Sequence, residues 1–210
     1  MGSGLQNDRL NAENLTGVEA GATLTFNKLR VRANVFRMDV VHPVSNVTIS
    51  STPTLITRQR QNLGRTSSSG LDLESEFNFT NRLALRAGYM FTDATVADFP
   101  ANRQLQGLQI PQVARHQFTS QIYYAHPAWS VGVQGRVSSR QYDDDLNQLP
   151  LNGFFSTDAK FTWNFNRRLA LFASVEGIGQ RYDVARTPVL TIGPPTLFHL
   201  GLDFKSVAAK

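Results

Sequence analysis

The sequence predicts an all-β protein: an up-and-down antiparallel transmembrane β-barrel, or a segment of one, with about nine to ten strands. Three observations predict it. Apolar residues alternate with polar ones at a period of two, not 3.6, along most of the chain. Short and long connections alternate strictly between the resulting segments. Aromatic residues gather at the ends of the apolar stripes.

The stripes run in order. Val18, Ala20, Ala22, Leu24 and Phe26 oppose Glu19, Gly21, Thr23 and Thr25. Leu29, Val31, Ala33 and Val35 oppose Arg30, Arg32 and Asn34. Leu71, Leu73, Phe77 and Phe79 oppose Asp72, Glu74, Glu76 and Asn78. Leu83, Leu85, Ala87, Tyr89 and Phe91 oppose Arg86 and Gly88. Phe118, Ile122 and Tyr124 oppose Gln117, Thr119 and Gln121. Trp129, Val131, Val133 and Val137 oppose Ser130, Gln134 and Arg136. Phe155, Ala159, Phe161, Trp163 and Phe165 oppose Asp158, Lys160 and Asn164. Leu169, Leu171, Ala173 and Val175 oppose Ser174 and Glu176. Phe198, Leu200, Leu202 and Phe204 oppose His199 and Asp203. Each segment thus has one apolar and one polar face, as a strand between two different media requires.

Tight turns are expected at 27–28, 80–82, 126–128 and 166–167, and long loops at 38–67, 94–114, 140–152 and 180–195. Transmembrane barrels alternate short periplasmic turns with longer extracellular loops, whereas a soluble sandwich has no reason to put every long loop at one end. Within the first long loop, Val47-Thr48-Ile49 and Leu55-Ile56-Thr57 are β-rich and predict a protruding hairpin. No run approaches the roughly 20 apolar residues of a membrane helix.

The residues expected to face lipid, as an aromatic girdle at headgroup level, are Phe26, Phe79, Tyr89, Phe91, Tyr124, Trp129, Phe161, Trp163, Phe198 and Phe204. Glu74, Glu76, Arg86, Gln134, Arg136, Asp158, Lys160 and Glu176 are expected on the lumen side, paired across strands because both signs occur on one face. Glu74 and Glu76 are expected to meet Arg86. The net charge is +5. Its cations are interleaved with acids, unlike the clustered Lys and Arg of a nucleic-acid groove, so no nucleic-acid partner is expected. Basic residues at the tight turns, Lys28, Arg82, Arg167 and Arg168, would meet anionic headgroups instead.

Catalytic and metal chemistry find little to work with. There is no cysteine, which removes disulfides, thiolate zinc sites and cysteine nucleophiles. The four histidines, His42, His116, His126 and His199, form no metal-spaced pair. His42 and His126 each precede proline and read as turn residues. Gly177-Ile178-Gly179 leads into Gln-Arg-Tyr rather than a helix, so it is not a phosphate loop. Asn-x-Thr matches at Asn14, Asn46 and Asn78 are chance patterns. Asp143-Asp144-Asp145 in the third long loop could take calcium or a cationic ligand, but its expected place is a solvated loop face or beside Arg140. No enzyme activity, cofactor or metal is expected.

Several short stretches resemble one family. Leu10 to Gly21 is similar to the "L-x-P-E … x-E-x-G" stretch of TonB-dependent receptor barrels, and Asn34 to Val40 to their "F-x-x-D-v" strand. Asn62-Leu63-Gly64 followed by Ser69 to Glu74 resembles "N-x-G … x-G-x-E-x-E". Tyr89 to Ala94 resembles "Y-x-y-t-d-A", and Ile110 to His116 resembles "i-P-x-v-P-x-H". Ala173 to Gly179 is a looser match to "x-v-e-N-L-f-d". Pro194 to Phe204 resembles the closing strand. The order and spacing of these stretches, over nearly the whole chain, carry the resemblance.

The resemblance implies part of a porin-like outer-membrane receptor or transporter barrel of a Gram-negative bacterium, for TonB-dependent uptake of a scarce nutrient such as a siderophore, cobalamin or glycan. Its implied partners are outer-membrane lipid, the remaining barrel strands and the plug, with TonB acting through the plug. Neither plug nor TonB box is read here, so the chain is not expected to transport alone. The alternative is a self-contained small outer-membrane barrel with a structural or adhesive role, including one engineered from such a receptor. The expected organisation is a leader and truncated start of the barrel over 1–16, a barrel segment over 17–205 and a C-terminal tail over 206–210.

Overall fold

The computed structural model describes residues 2–5, 10–52, 55–179 and 181–204. The tail expected at 206–210 lies outside the described residues. Nine long strands form one antiparallel sheet: β1 (Asn14–Phe26), β2 (Leu29–Val41), β3 (Arg65–Asn78), β4 (Leu83–Asp98), β5 (His116–His126), β6 (Trp129–Ser138), β7 (Phe154–Asn164), β8 (Leu169–Gly179) and β9 (Leu197–Phe204). Each strand pairs with its neighbours in sequence, from β1 at one edge to β9 at the other. Among the described residues β1 and β9 are each bonded on one side only. This is the up-and-down order expected of the alternating connections, with all four tight turns at one end and the long loops at the other.

The tight turns are closed by local chemistry. Asn27 takes φ 43°, the left-handed conformation that a two-residue hairpin favours. Thr80 Oγ1 accepts the backbone N–H groups of Arg82 (3.1 Å) and Leu83 (3.0 Å). Asn166 Oδ1 does the same for Arg168 (2.8 Å) and Leu169 (3.0 Å).

Register puts the stripes on two faces. Arg30, Glu76, Arg86, Gln121, Gln134 and Asp158 lie opposite one another across β2 to β7. One residue along, Leu29, Phe77, Leu85, Ile122, Val133 and Ala159 form the matching row of the other face. Asp158 sits at a bulge, where the β7–β8 register shifts between Thr157 and Ala159. The carboxylate exploits that irregularity, accepting the Gly177 N–H at 2.7 Å.

Among the described residues no second layer packs on the sheet. Its apolar face is exposed, with Phe198 at 81% and Phe204 at 76% of full accessibility. The buried apolar cluster instead lies at the loop end: Val47, Leu63, Val96, Phe99 and Leu105. A hairpin of Val44–Ser51 and Ile56–Asn62 forms where the first long loop is β-rich, joined in parallel by Gly2–Leu5. It contributes Val47 to that cluster, β4 contributes Val96, and a 3-10 turn at Arg103–Leu105 contributes Leu105.

Candidate functional site

The polar face is concave. All eight residues expected on the lumen side line two adjoining grooves there, of about 590 and 760 Å³, which share Gln121, Gln134 and Asp158. Charges alternate in sign and pair across strands. Arg32 meets Glu74 at 3.3 Å, Arg86 meets Glu76 at 3.8 Å, and Gln134 donates to Asp158 at 2.8 Å. Glu74 thus pairs with Arg32, one strand back, rather than with Arg86; register places Arg32 directly opposite it. Further along, Glu176 approaches His199 at 3.8 Å. Lys160 lies 4.5 Å above the Phe172 ring, which covers Gly201.

These pairs are open to water: the Arg32 and Glu74 side chains are 60% and 57% exposed. Exposed ion pairs contribute little to stability, about 0–1 kcal/mol each. They make a hydrated wall of five cations and four acids, suited to a polar solute or a polar protein surface and unsuited to holding one strongly charged polymer.

The ten aromatics expected in the girdle lie on β1 to β9 or in the turns beside them, with Phe26, Phe79, Phe161 and Trp163 among the exposed ones. Tyr124, Trp129, Phe161 and Trp163 follow one another across β5 to β7 with ring centroids 5.1, 6.1 and 6.4 Å apart. At the loop end, Tyr89 Oη and His116 Nδ1 are 2.9 Å apart. His126, expected in the turn, is instead the last residue of β5, paired with Trp129, and its ring accepts the Ala128 N–H at 3.3 Å. From Leu71 on β3 to Phe79 in the turn just beyond it, the stripe spans eight rises of about 3.3 Å; at a tilt of about 40° the apolar height is about 20 Å, close to the roughly 25 Å band of membrane barrels. Beyond it the same face turns ionic: Arg37 meets Asp39 at 3.5 Å and Arg115 meets Asp93 at 2.9 Å.

The three consecutive aspartates are not a solvated loop face. Asp143, Asp144 and Asp145 are 6%, 5% and 8% exposed, and Arg140 lies instead against Tyr142. Each carboxylate closes a different piece of loop. Asp143 accepts from Gln112 Nε2 (2.9 Å) and from the Arg186 N–H (2.8 Å), Thr187 N–H (2.7 Å) and Thr187 hydroxyl (2.8 Å). Asp144 accepts the Gln148 and Leu149 N–H groups, and Asp145 accepts the N–H and hydroxyl of Thr48. Among the described residues no acid-and-histidine cluster is placed to hold a metal. The clamp carries no sequence signature: Asp143 and Asp145 meet groups 31 to 97 positions away, and many of the donors are backbone N–H groups.

Burial works to raise the Asp143 carboxyl, but the hydrogen bonds from Gln112, Arg186 and Thr187 outweigh it and hold the group below the ordinary aspartate range. The clamp on the last loop is therefore at full strength above the ordinary value of about 4, and is lost as pH falls through the lowered one. Asp143→Ala should release residues 181–193. Losing this set of charge-assisted hydrogen bonds costs about 3 kcal/mol locally, so trypsin should cut Arg186–Thr187 about a hundredfold faster than in the unsubstituted chain. An unchanged cutting rate would show that other contacts hold the loop.

Residues 2–177 match the family described as TonB dependent receptor-like, beta-barrel. The chain belongs to that family. Among solved structures it is similar to the siderophore receptor PiuA from Acinetobacter baumannii, with 21% identity, TM-score 0.74, and coverage of 90% of this chain and 28% of that one. It is likewise similar to the ferric yersiniabactin uptake receptor FyuA from Yersinia pestis, with 13% identity, TM-score 0.74, and coverage of 91% and 30%. For the ferric citrate transporter FecA the values are 19%, 0.74, and 90% and 31%. This TonB-dependent receptor barrel chain thus spans less than a third of the length of these receptors. No curated protein matches it.

Proposed function

We propose that the chain supplies nine strands of an outer-membrane receptor barrel for TonB-dependent uptake of a scarce nutrient in a Gram-negative bacterium. The observation that carries this is the two-faced, single-layer sheet: a concave wall of exposed ion pairs and a convex face of exposed apolar and aromatic residues, with every long loop at one end. In water such a sheet would leave its apolar face unburied; in a bilayer that face meets hydrocarbon and the concave wall becomes the lumen. The other barrel strands would pair with β1 and β9, and the plug, through which TonB acts, would meet the hydrated wall. The chain alone is not a transporter in this reading. The cargo class is a siderophore, cobalamin or glycan. The receptors named above make a ferric chelate the first cargo to test. A self-contained small barrel would need β1 to bond to β9, and here each is bonded on one side only.

The absence of cysteine makes the test clean. Single cysteines replace Val131 or Leu200 on the convex face, and Gln134 or Glu74 on the concave face, in bilayer-refolded protein. A water-soluble maleimide is expected to label the concave pair readily and the convex pair hardly at all. Equal labelling of both faces would sink the membrane reading.

A further inference from the structure

We propose that the tight-turn rim of the sheet is a docking surface for anionic phospholipid headgroups, with Lys28, Arg82, Arg167 and Arg168 taking the phosphates. This rests on the reading that the convex face meets lipid. Three observations carry it further than that reading does.

First, the rim is cationic without compensation. All four side chains belong to exposed residues in the turns. Among the described residues no ion pair involves them, and Lys28 Nζ donates only to a neutral carbonyl, that of Phe79, at 2.9 Å. The segments 27–28, 79–82, 127–128 and 165–168 contain no acid. The nearest acids in register, Glu76 opposite Arg30 and Asp203 opposite Ala170, are on the concave face. Four of the chain's cations, against a net charge of +5, therefore gather at one end.

Second, the two ends of the convex face differ. At the loop end Arg37 and Arg115 are each matched by an aspartate, at 3.5 and 2.9 Å. A generic need for solubility would distribute charge at both ends alike. The loop end also holds cations without an ion pair, such as Arg65 and Arg103, but acids stand among them; the turn rim has cations alone, which suits an anionic partner on that side.

Third, the rim continues a graded surface. The aromatic run through Trp129, Phe161 and Trp163 lies on the convex face near the turns, with Phe79 and Phe165 exposed just inside the cations. Apolar strand, aromatic ring and cation follow in the order of hydrocarbon, interface and headgroup. A soluble acidic protein would have no use for the rings, and a neutral lipid no use for the uncompensated charge.

The test uses the refolded chain, in whatever edge-paired assembly it forms, in phosphatidylcholine bilayers. Trace spin-labelled phosphatidylglycerol or spin-labelled phosphatidylcholine reports the fraction of lipid held at the protein surface. Phosphatidylglycerol should be preferred by about threefold or more at low salt, and the preference should shrink at 1 M salt as the Debye length falls to about 3 Å. The variant with Lys28→Gln, Arg82→Gln, Arg167→Gln and Arg168→Gln should hold as much lipid in total but lose the preference. The charge-keeping variant with Lys28→Arg, Arg82→Lys, Arg167→Lys and Arg168→Lys should retain it, separating charge from folding. Equal preference in the native chain and the Gln variant, or none in the native chain, overturns the proposal. Absence of surface-held lipid of either kind would instead overturn the lipid-facing reading beneath it.

Discussion

In a micelle that holds a single copy, the outward-pointing amides of β1 and β9 are expected to exchange hydrogen orders of magnitude faster than those of β4 to β6. The reason is the pairing. β1 has thirteen residues and β9 eight, and each is bonded on one side only. Within the apolar zone each edge leaves about five N–H and five C=O groups without partners, at several kcal/mol apiece in hydrocarbon, or tens of kcal/mol together. No side-chain contact in the sheet approaches that sum. In bilayers the chain should therefore associate through its edges, or take up the preceding strands of a full receptor, and sedimentation in matched-density detergent should show more than one copy. Strong protection along both 17–26 and 197–204 in a demonstrated monomer would mean that the segment closes on itself, and the self-contained barrel would become the better reading.

The same two strands show what a sequence can and cannot declare. The alternation over Val18 to Phe26 and over Phe198 to Phe204 is as clean as in the central strands, because alternation reports the media on the two faces of a strand and not whether a neighbour exists. Faces were therefore legible throughout, and so was strand order, since four tight turns leave few topologies. Strand ends on the loop side were less so. β3 starts at Arg65, well before the apolar stripe at Leu71, because Thr66 to Ser69 stand beyond the apolar band where neither face needs to be apolar. The concave wall was legible as a set of residues, but the partner of Glu74 depended on register, which gives it Arg32. The loop clamp was hidden for a different reason. Asp143 holds Arg186 and Thr187 by backbone groups more than forty positions away, and backbone donors carry no sequence signature. The small core around Leu105 was hidden likewise, being assembled from single apolar residues in segments otherwise polar.

Arginine placed in the middle of the convex face is expected to cost about 2–4 kcal/mol, and arginine on the concave face well under 1 kcal/mol. Val133→Arg and Gln134→Arg make the comparison. Val133 stands between Ile122 and Ala159 in the apolar row, at the centre of the Trp129–Val137 stripe, so a guanidinium there enters the apolar band with no acid in its row to meet. The chain can relieve that cost only by snorkelling toward the rim, which a mid-strand position makes long. Gln134 already donates to Asp158 at 2.8 Å from an exposed position, so arginine there replaces a neutral donor by a charged one to the same carboxylate. Both substitutions add one positive charge to the same sheet, which cancels effects of net charge and of the unfolded chain. Equilibrium refolding into bilayers at matched protein concentration reads the two costs directly. Equal costs would mean that the two faces see the same medium, and the division of the sheet into lipid side and lumen side would be wrong.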